Sequence, residues 1–247
     1  GFCLVGSEMC IRDSPKTAKD FDDAVCLIEE DGKRTLWVAI ADVAHYIEPE
    51  TLLDDEARAR ATSVYLPHAV LPMLPSRLSD NLCSLRAKVP RLAMTVSMEI
   101  ENDCAIGKVA AFESVIEVRE NLSYEDALDN PKFQNMMDLA EELRRNEIRL
   151  NLNSAELRPR VLEDEISVNV KWPNKATEMI ETFMVATNNS IGILLGEKNA
   201  PLPWRSHAPP DAPEVEELNA KFKNMGINIE LPMPSVKKFG QSEEAES

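Results

Sequence analysis

The sequence reads as an α+β domain, with a mixed, largely antiparallel sheet and helices packed against it. Three observations lead there. Two apolar runs, 24–28 and 36–41, flank a polar connector with Asp31-Gly32 at its middle, a strong short-range sign of a β-hairpin. Residues 92–100 and 106–118 carry strand-like alternation around a turn at Asn102-Asp103. Beyond Ser123 the pattern becomes helical and ends in a long amphipathic stretch over 176–195, with Ile180, Phe183, Met184, Thr187, Ile191 and Leu195 at helical spacing.

Residues 1–14 begin with Gly and show neither helical nor strand periodicity. They read as a foreign junction or a truncated start, so the domain is expected to occupy 15–247. A helix over 52–61 has Thr51 as N-cap and Leu53, Ala57 and Ala61 on one stripe. Prolines in 62–67 and 72–75 forbid helix and imply an ordered extended segment. Ser123, with Asp126 three residues on, opens a short helix that carries Tyr124 in its first turn. Helix resumes over 133–149, after the break at Asn130-Pro131. Residues 165–172 alternate as a strand before a turn at Pro173-Asn174. On the long helix, Glu178, Glu181 and Asn188 form a polar line beside the apolar face, most simply a salt-bridged solvent face. A proline-bounded polar loop at 205–211, a helix over 214–225 and a frayed end at 240–247 complete the chain.

Composition bounds the function. With 247 residues, 44% hydrophobic and 28% charged, the chain has an ordinary globular make-up, enough for one large domain or two small ones. It shows no run of membrane-spanning length and no signal-peptide pattern, so a soluble, cytoplasmic, monomeric protein is expected. Cys3, Cys10, Cys26, Cys83 and Cys104 are widely spaced, form no zinc or redox pair, and read as reduced thiols. A net charge of −16 argues against binding nucleic acid by blanket electrostatics, which requires Lys and Arg at phosphates.

The run Asp20-Phe21-Asp22-Asp23 carries three carboxylates in four residues, which repel unless water or a cation balances them. Mg²⁺ suits such a donor set, because it takes one or two carboxylates and completes its shell with water and phosphate oxygens. A solvated acidic loop explains the run equally well. An EF-hand does not, since counting from Asp20 puts Val25 where Gly is required and Asp31 where Glu is expected. A hairpin centred on Asp31-Gly32 sets Asp22 opposite Ala41 and brings Asp42 and His45 to the acidic end. His45 fits packing or hydrogen bonding better than ligation, because Mg²⁺ prefers oxygen. Tyr65 fits either packing or base stacking, and Arg77, Arg86, Lys88 and Arg91 form either a phosphate-guiding patch or a solvated face.

Taken together, AKDFDDA (18–24), VAIADVAHY (38–46), TSVYLP (62–67), PMLP (72–75) and LSDNLCSL (78–85) resemble the RNB catalytic domain of the ribonuclease II and ribonuclease R family, in order and in spacing. The likeness continues through 181–188 and 205–211, so it spans roughly 15–211. It implies a 3′-to-5′ exoribonuclease that uses Mg²⁺ and activated water to release nucleoside 5′-monophosphates. It also implies metal and catalytic roles for Asp20, Asp22 and Asp23, base packing by Tyr65, a place beside the terminal nucleotide for Tyr124, and ribose contact by Glu181, with the single-stranded RNA 3′ end as partner. Two departures accompany the likeness. Ser14 stands where the family has a fourth aspartate, with Asp13 one residue out of register. The family's arginine-rich segment, OB-fold domain and cold-shock domains have no counterpart, so weak activity is expected of the isolated chain.

Two rival readings stay open. Val5-Gly6-Ser7 followed by Asp20-Phe21-Asp22 mimics a nucleotidyltransferase pattern, although Pro15 interrupts the helix that pattern requires. The other rival is a non-catalytic RNA-binding fragment with an incomplete site.

Overall fold

The fold comes from a computed structural model, which describes residues 3–7, 10–12, 20–66, 69–145, 154–162, 165–204 and 210–233. The chain divides into two compact units, Gly1–Ala200 and Pro201–Ser247.

The first unit opens with strands β1 (Cys3–Ser7) and β2 (Cys10–Arg12), then the hairpin β3 (Asp23–Glu30) and β4 (Lys33–Ala41). Helix α1 (Leu52–Arg60) and the short pair β5 (Val64–Tyr65) and β6 (Val70–Leu71) follow, then the long strands β7 (Pro90–Ile100) and β8 (Ile106–Val118). After β9 (Asn121–Ser123) come α2 (Tyr124–Leu128) and α3 (Gln134–Arg145), a ribbon of β10 (Glu156–Leu162) and β11 (Glu165–Lys171), and α4 (Lys175–Glu197). The second unit contains α5 (Ala212–Asn224) and an extended stretch tied back to it by Asn219, whose side chain bonds both the N–H and the C=O of Leu231.

The main sheet has the order β1-β8-β7-β4-β3; β1 is parallel to β8 and the other pairs are antiparallel. Residues 1–14, which show no strand period in the sequence, thus supply an edge strand, and β2 pairs in parallel with β9. The β3–β4 turn is made by Asp31 (φ 51°) and Gly32 (φ 74°). Left-handed backbone at both central residues matches the twist of the flanking strands, which is why Asp-Gly is favoured there.

Alternation along the strands gives the sheet two apolar faces. One carries Val25, Leu36, Val38, Val96, Met98 and Ile100 against α2, α3 and α4, where Phe183 and Met179 are fully buried. The other is small: Ala24, Ala39, Ala41 and Ala93 lie with Ile116 and Val118 under Cys83 and Leu85. Alanines let the 83–85 segment sit close to the sheet.

Helix starts follow the capping rules. The Thr51 and Ser123 hydroxyls accept the N–H of Asp54 and Asp126, and Asn174 forms a reciprocal box with Thr177. Helix α3 is described as far as Arg145, and residues 146–149 of the expected helix lie outside the described residues. On α1, only Ala57 of the expected stripe is buried. Ion pairs brace the helices: Arg144 meets Glu178 at 2.9 Å across α3 and α4, and Arg34 of β4 meets Glu142 of α3 at 2.9 Å. The Cys104 thiol also donates to Glu142, at 3.1 Å. Strand β10 escapes a pattern reading because Pro159 interrupts it; in a two-stranded ribbon each strand has one open edge, which tolerates Pro. Among the described residues no helix is long and apolar enough to cross a membrane.

Phe183→Ala empties the centre of the helix-side core and is expected to lower unfolding free energy by about 3–5 kcal/mol, measured by urea denaturation. The hydrogen bond from Arg34, and secondarily that from Cys104, holds the Glu142 carboxyl below the usual glutamate range. A carboxylate depressed in the folded state stabilises above its unfolded pKa and loses that contribution as pH falls through the folded one. Glu142→Gln is therefore expected to be less stable than the parent near neutrality by under ~1 kcal/mol, the pair being partly solvent-screened, with the two denaturation curves converging below about pH 4.

Candidate active site

Hairpin register gathers the acidic residues at one end of the sheet. Asp23 pairs with Ile40, the Ala41 N–H donates to the Asp22 carbonyl at 2.8 Å, and the Asp42 N–H donates to the Leu92 carbonyl at 3.1 Å. Asp42 therefore arrives beside Asp22, as the turn position requires. Consecutive residues of extended chain face opposite sides. Asp22 falls on the side of Ala24 and Ala41, toward Cys83, whereas Asp23 shares the side of Ile40, with one carboxylate oxygen buried. Asp20 is half-buried and Asp22 exposed.

The backbone of this run is held from the opposite side by the segment that follows a π-helical turn at Leu78–Leu82. The Phe21 N–H donates to the Ser84 hydroxyl at 3.0 Å, and the Leu85 N–H donates to the Phe21 carbonyl at 2.8 Å. The Phe21 ring packs against the small-residue core. Arg91 fixes the segment in turn, its Nε donating to the carbonyls of Ser84 (3.0 Å) and Asn81 (3.1 Å) and its Nη2 to Asn81 Oδ1 (3.0 Å). Asn121 bridges the Leu85 carbonyl and the Ala87 N–H. Arg86 donates to the Asp80 carbonyl. The guanidiniums of Arg86 and Arg91 are thus engaged by backbone carbonyls, a role the sequence does not display, while Arg77 and Lys88 of the basic cluster are exposed.

Burial first, and then the charges of Asp42 and Asp22, push the Cys83 thiol up and keep it protonated. Tyr46 is raised by burial, then by Cys83 and Asp42, against an opposing effect of Arg91. The two carboxylates thus act on one locus and make it electronegative. Asp42 Oδ1 also accepts the His45 N–H at 3.1 Å, and the His45 ring meets Tyr46 edge-on at 5.3 Å. The His45 side chain is exposed, and its ring packs on Tyr46, while the bond to Asp42 is made by its backbone.

Among the described residues there is no group of three or more His, Cys, Asp and Glu side chains placed to hold a metal ion. The aspartates of the 20–23 run do not converge as a set. What the fold brings to one end of the sheet is Asp22 and Asp42, both of which act on Cys83, and two hard oxygen donors suit Mg²⁺, which binds proteins through one or two carboxylates. Ser14 and Asp13 lie outside the described residues, as do residues 205–209 of the proline-bounded loop.

The other expected site residues are dispersed. Tyr65, on β5, is 68% exposed, with Val64 and Leu66 exposed beside it. Tyr124 is buried in the helix-side core, with the Lys171 ammonium 5.2 Å from its ring centroid. Glu181 lies exposed on α4, one turn beyond Glu178. Ser84 and Asn121 escape residue-level sequence reasoning, as does the anchoring role of Arg91, because a side chain that bonds backbone leaves no distinctive charge pattern or periodicity to find.

The RNB domain profile matches residues 7–246. Ribonuclease R of Chlamydia pneumoniae is 35% identical over 240 residues, covering 90% of this chain and 35% of that protein. The chain thus spans about a third of the length of this curated relative. The solved structure of Mycoplasma genitalium RNase R in complex with ribose methylated single-stranded RNA superposes with a TM-score of 0.82 at 26% identity, over 92% of this chain and 38% of that one. The same protein in complex with double-stranded RNA gives 0.81 at 27%, over 92% and 43%. With the family profile matched over almost the whole sequence and the fold superposing on that of a solved RNase R, the chain belongs to the RNB domain family as a homologue of ribonuclease R.

Proposed function

We propose that residues 15–247 form the carboxylate-bearing part of a 3′-to-5′ exoribonuclease that hydrolyses single-stranded RNA to nucleoside 5′-monophosphates with Mg²⁺. The observation that carries this reading is the meeting of Asp22 with Asp42 beside the clamped 20–23 run, in a chain of the RNB family. The relatives solved with RNA support RNA as the substrate class.

In this reading Asp22, with Asp42 and Asp20 at the same end of the sheet, would hold Mg²⁺ and orient the attacking water, while Asp23 faces the opposite side of the strand. Bound Mg²⁺ supplies charge neutralisation at the scissile phosphate and acidifies water. Asp22 is exposed and so accessible to a phosphodiester, while Phe21 and the alanine face keep the backbone beneath it dry. Tyr65, standing out on its hairpin, offers a ring for a base near the 3′ end. Exposed Glu181 accepts from the ribose 2′-hydroxyl, the group that separates RNA from DNA, whereas Tyr124, buried in the helix-side core, acts at most by supporting the surface beside the terminal nucleotide.

A non-catalytic RNA-binding role is the second reading, favoured by the lack of a three-carboxylate group among the described residues. Incubating the chain with 5′-labelled single-stranded RNA and Mg²⁺ tests both. Release of nucleoside 5′-monophosphates from the 3′ end, reduced by about 10²-fold or more in Asp22→Asn, is the expected result. Bound but intact RNA supports the second reading, and lengthening with added nucleoside triphosphates supports a nucleotidyltransferase. Tyr65→Ala is expected to weaken RNA binding by about 1–3 kcal/mol in fluorescence anisotropy, with the circular dichroism spectrum unchanged.

A further inference from the structure

Ser84 is fully buried, and its hydroxyl faces the one residue that separates Asp20 from Asp22. Each hydrogen bond at that residue fixes a different peptide plane. The Phe21 N–H belongs to the plane shared with Asp20, and it is held by Ser84 Oγ at 3.0 Å. The Phe21 carbonyl belongs to the plane shared with Asp22, and it is held by the Leu85 N–H at 2.8 Å. A third bond, from Ala41 N–H to the Asp22 carbonyl at 2.8 Å, fixes the next plane along. Only the first of the three is made by a side chain, so one substitution can remove it and leave the strand pairing in place.

We infer that Ser84 is a positioning residue for the carboxylates at 20 and 22, and that Arg91, gripping the Ser84 carbonyl, holds it in place. This inference rests on the metal-binding reading given under Proposed function. Without the hydroxyl, the Phe21 N–H loses this partner, the Asp20–Phe21 peptide is held less firmly, and the separation of the two carboxylates that a shared cation needs is less well kept. The neighbouring Arg91 fork matters for a geometric reason: it bonds the carbonyls of Asn81 and Ser84 through one nitrogen and Asn81 Oδ1 through another. A lysine keeps the charge but has no rigid fork.

The test uses Mn²⁺ as the probe, with the free ion counted by electron paramagnetic resonance during titration of the full 247-residue chain, of Ser84→Ala and of Arg91→Lys. Ser84→Ala removes a single oxygen, and amide hydrogen exchange at Phe21 reports the clamp independently of any ion. The expected result is one saturable site in the parent, with Mn²⁺ affinity lowered about 10–100-fold in Ser84→Ala, a smaller loss in Arg91→Lys, faster exchange at Phe21 and an unchanged circular dichroism spectrum. Equal Mn²⁺ affinity in parent and Ser84→Ala overturns this inference alone, as does unchanged exchange at Phe21. If Ser84→Ala does not fold, equal affinity in parent and Arg91→Lys overturns it. No saturable uptake by the parent overturns the metal reading, and the positioning role with it.

Discussion

Antiparallel pairing between β3 and β4 decides which carboxylates meet. With left-handed backbone at Asp31 and Gly32, the register sets Ala41 against Asp22 and delivers Asp42 to the same end. A slip of one residue exchanges the two faces of a strand. It would turn Asp22 toward the helices and drive Val25 and Leu27 out of the helix-side core. The packing of Val25, Val38 and Val96 therefore enforces the same register that the acidic end depends on.

The two faces of the sheet do different work. Behind it, long side chains such as Phe183, Met179 and Met98 fill the space to the helices, and ion pairs from Arg34 and Arg144 brace the outside of that layer. In front, alanines admit a segment of irregular backbone. Irregular backbone near a core needs partners for its polar groups, and here Ser84, Arg91 and Asn121 supply them. The same bonds that satisfy this segment also hold the acidic run, so local folding and site geometry share one network.

Much of this was legible from residue patterns. The Asp-Gly connector, the alternation in β7 and β8, and the N-caps Thr51 and Ser123 act through local backbone chemistry, which sequence displays directly. The arrival of Asp42 followed from the hairpin alone. Other features depend on distant partners and left no local trace. Strand β1 exists because β8 offers an edge, β10 because β11 pairs with it, and the guanidiniums of Arg86 and Arg91 turn inward because carbonyls of the 80–84 turn await them. Tyr124 looked like any first-turn aromatic in the sequence, whereas the fold places it in the core.

The alanine face also defines how the site can be damaged from beneath. A methyl or ethyl added at Ala24, Ala39, Ala41 or Ala93 enters the small cluster that holds Cys83, Leu85 and Phe21. Overpacking at such a position displaces a neighbour more readily than it unfolds a well-paired sheet. The displaced neighbour is the support of the acidic run. Lesions of this kind would cost about 1–3 kcal/mol and leave every carboxylate in the sequence, yet shift the acidic run, so a screen for soluble expression alone would miss many of them.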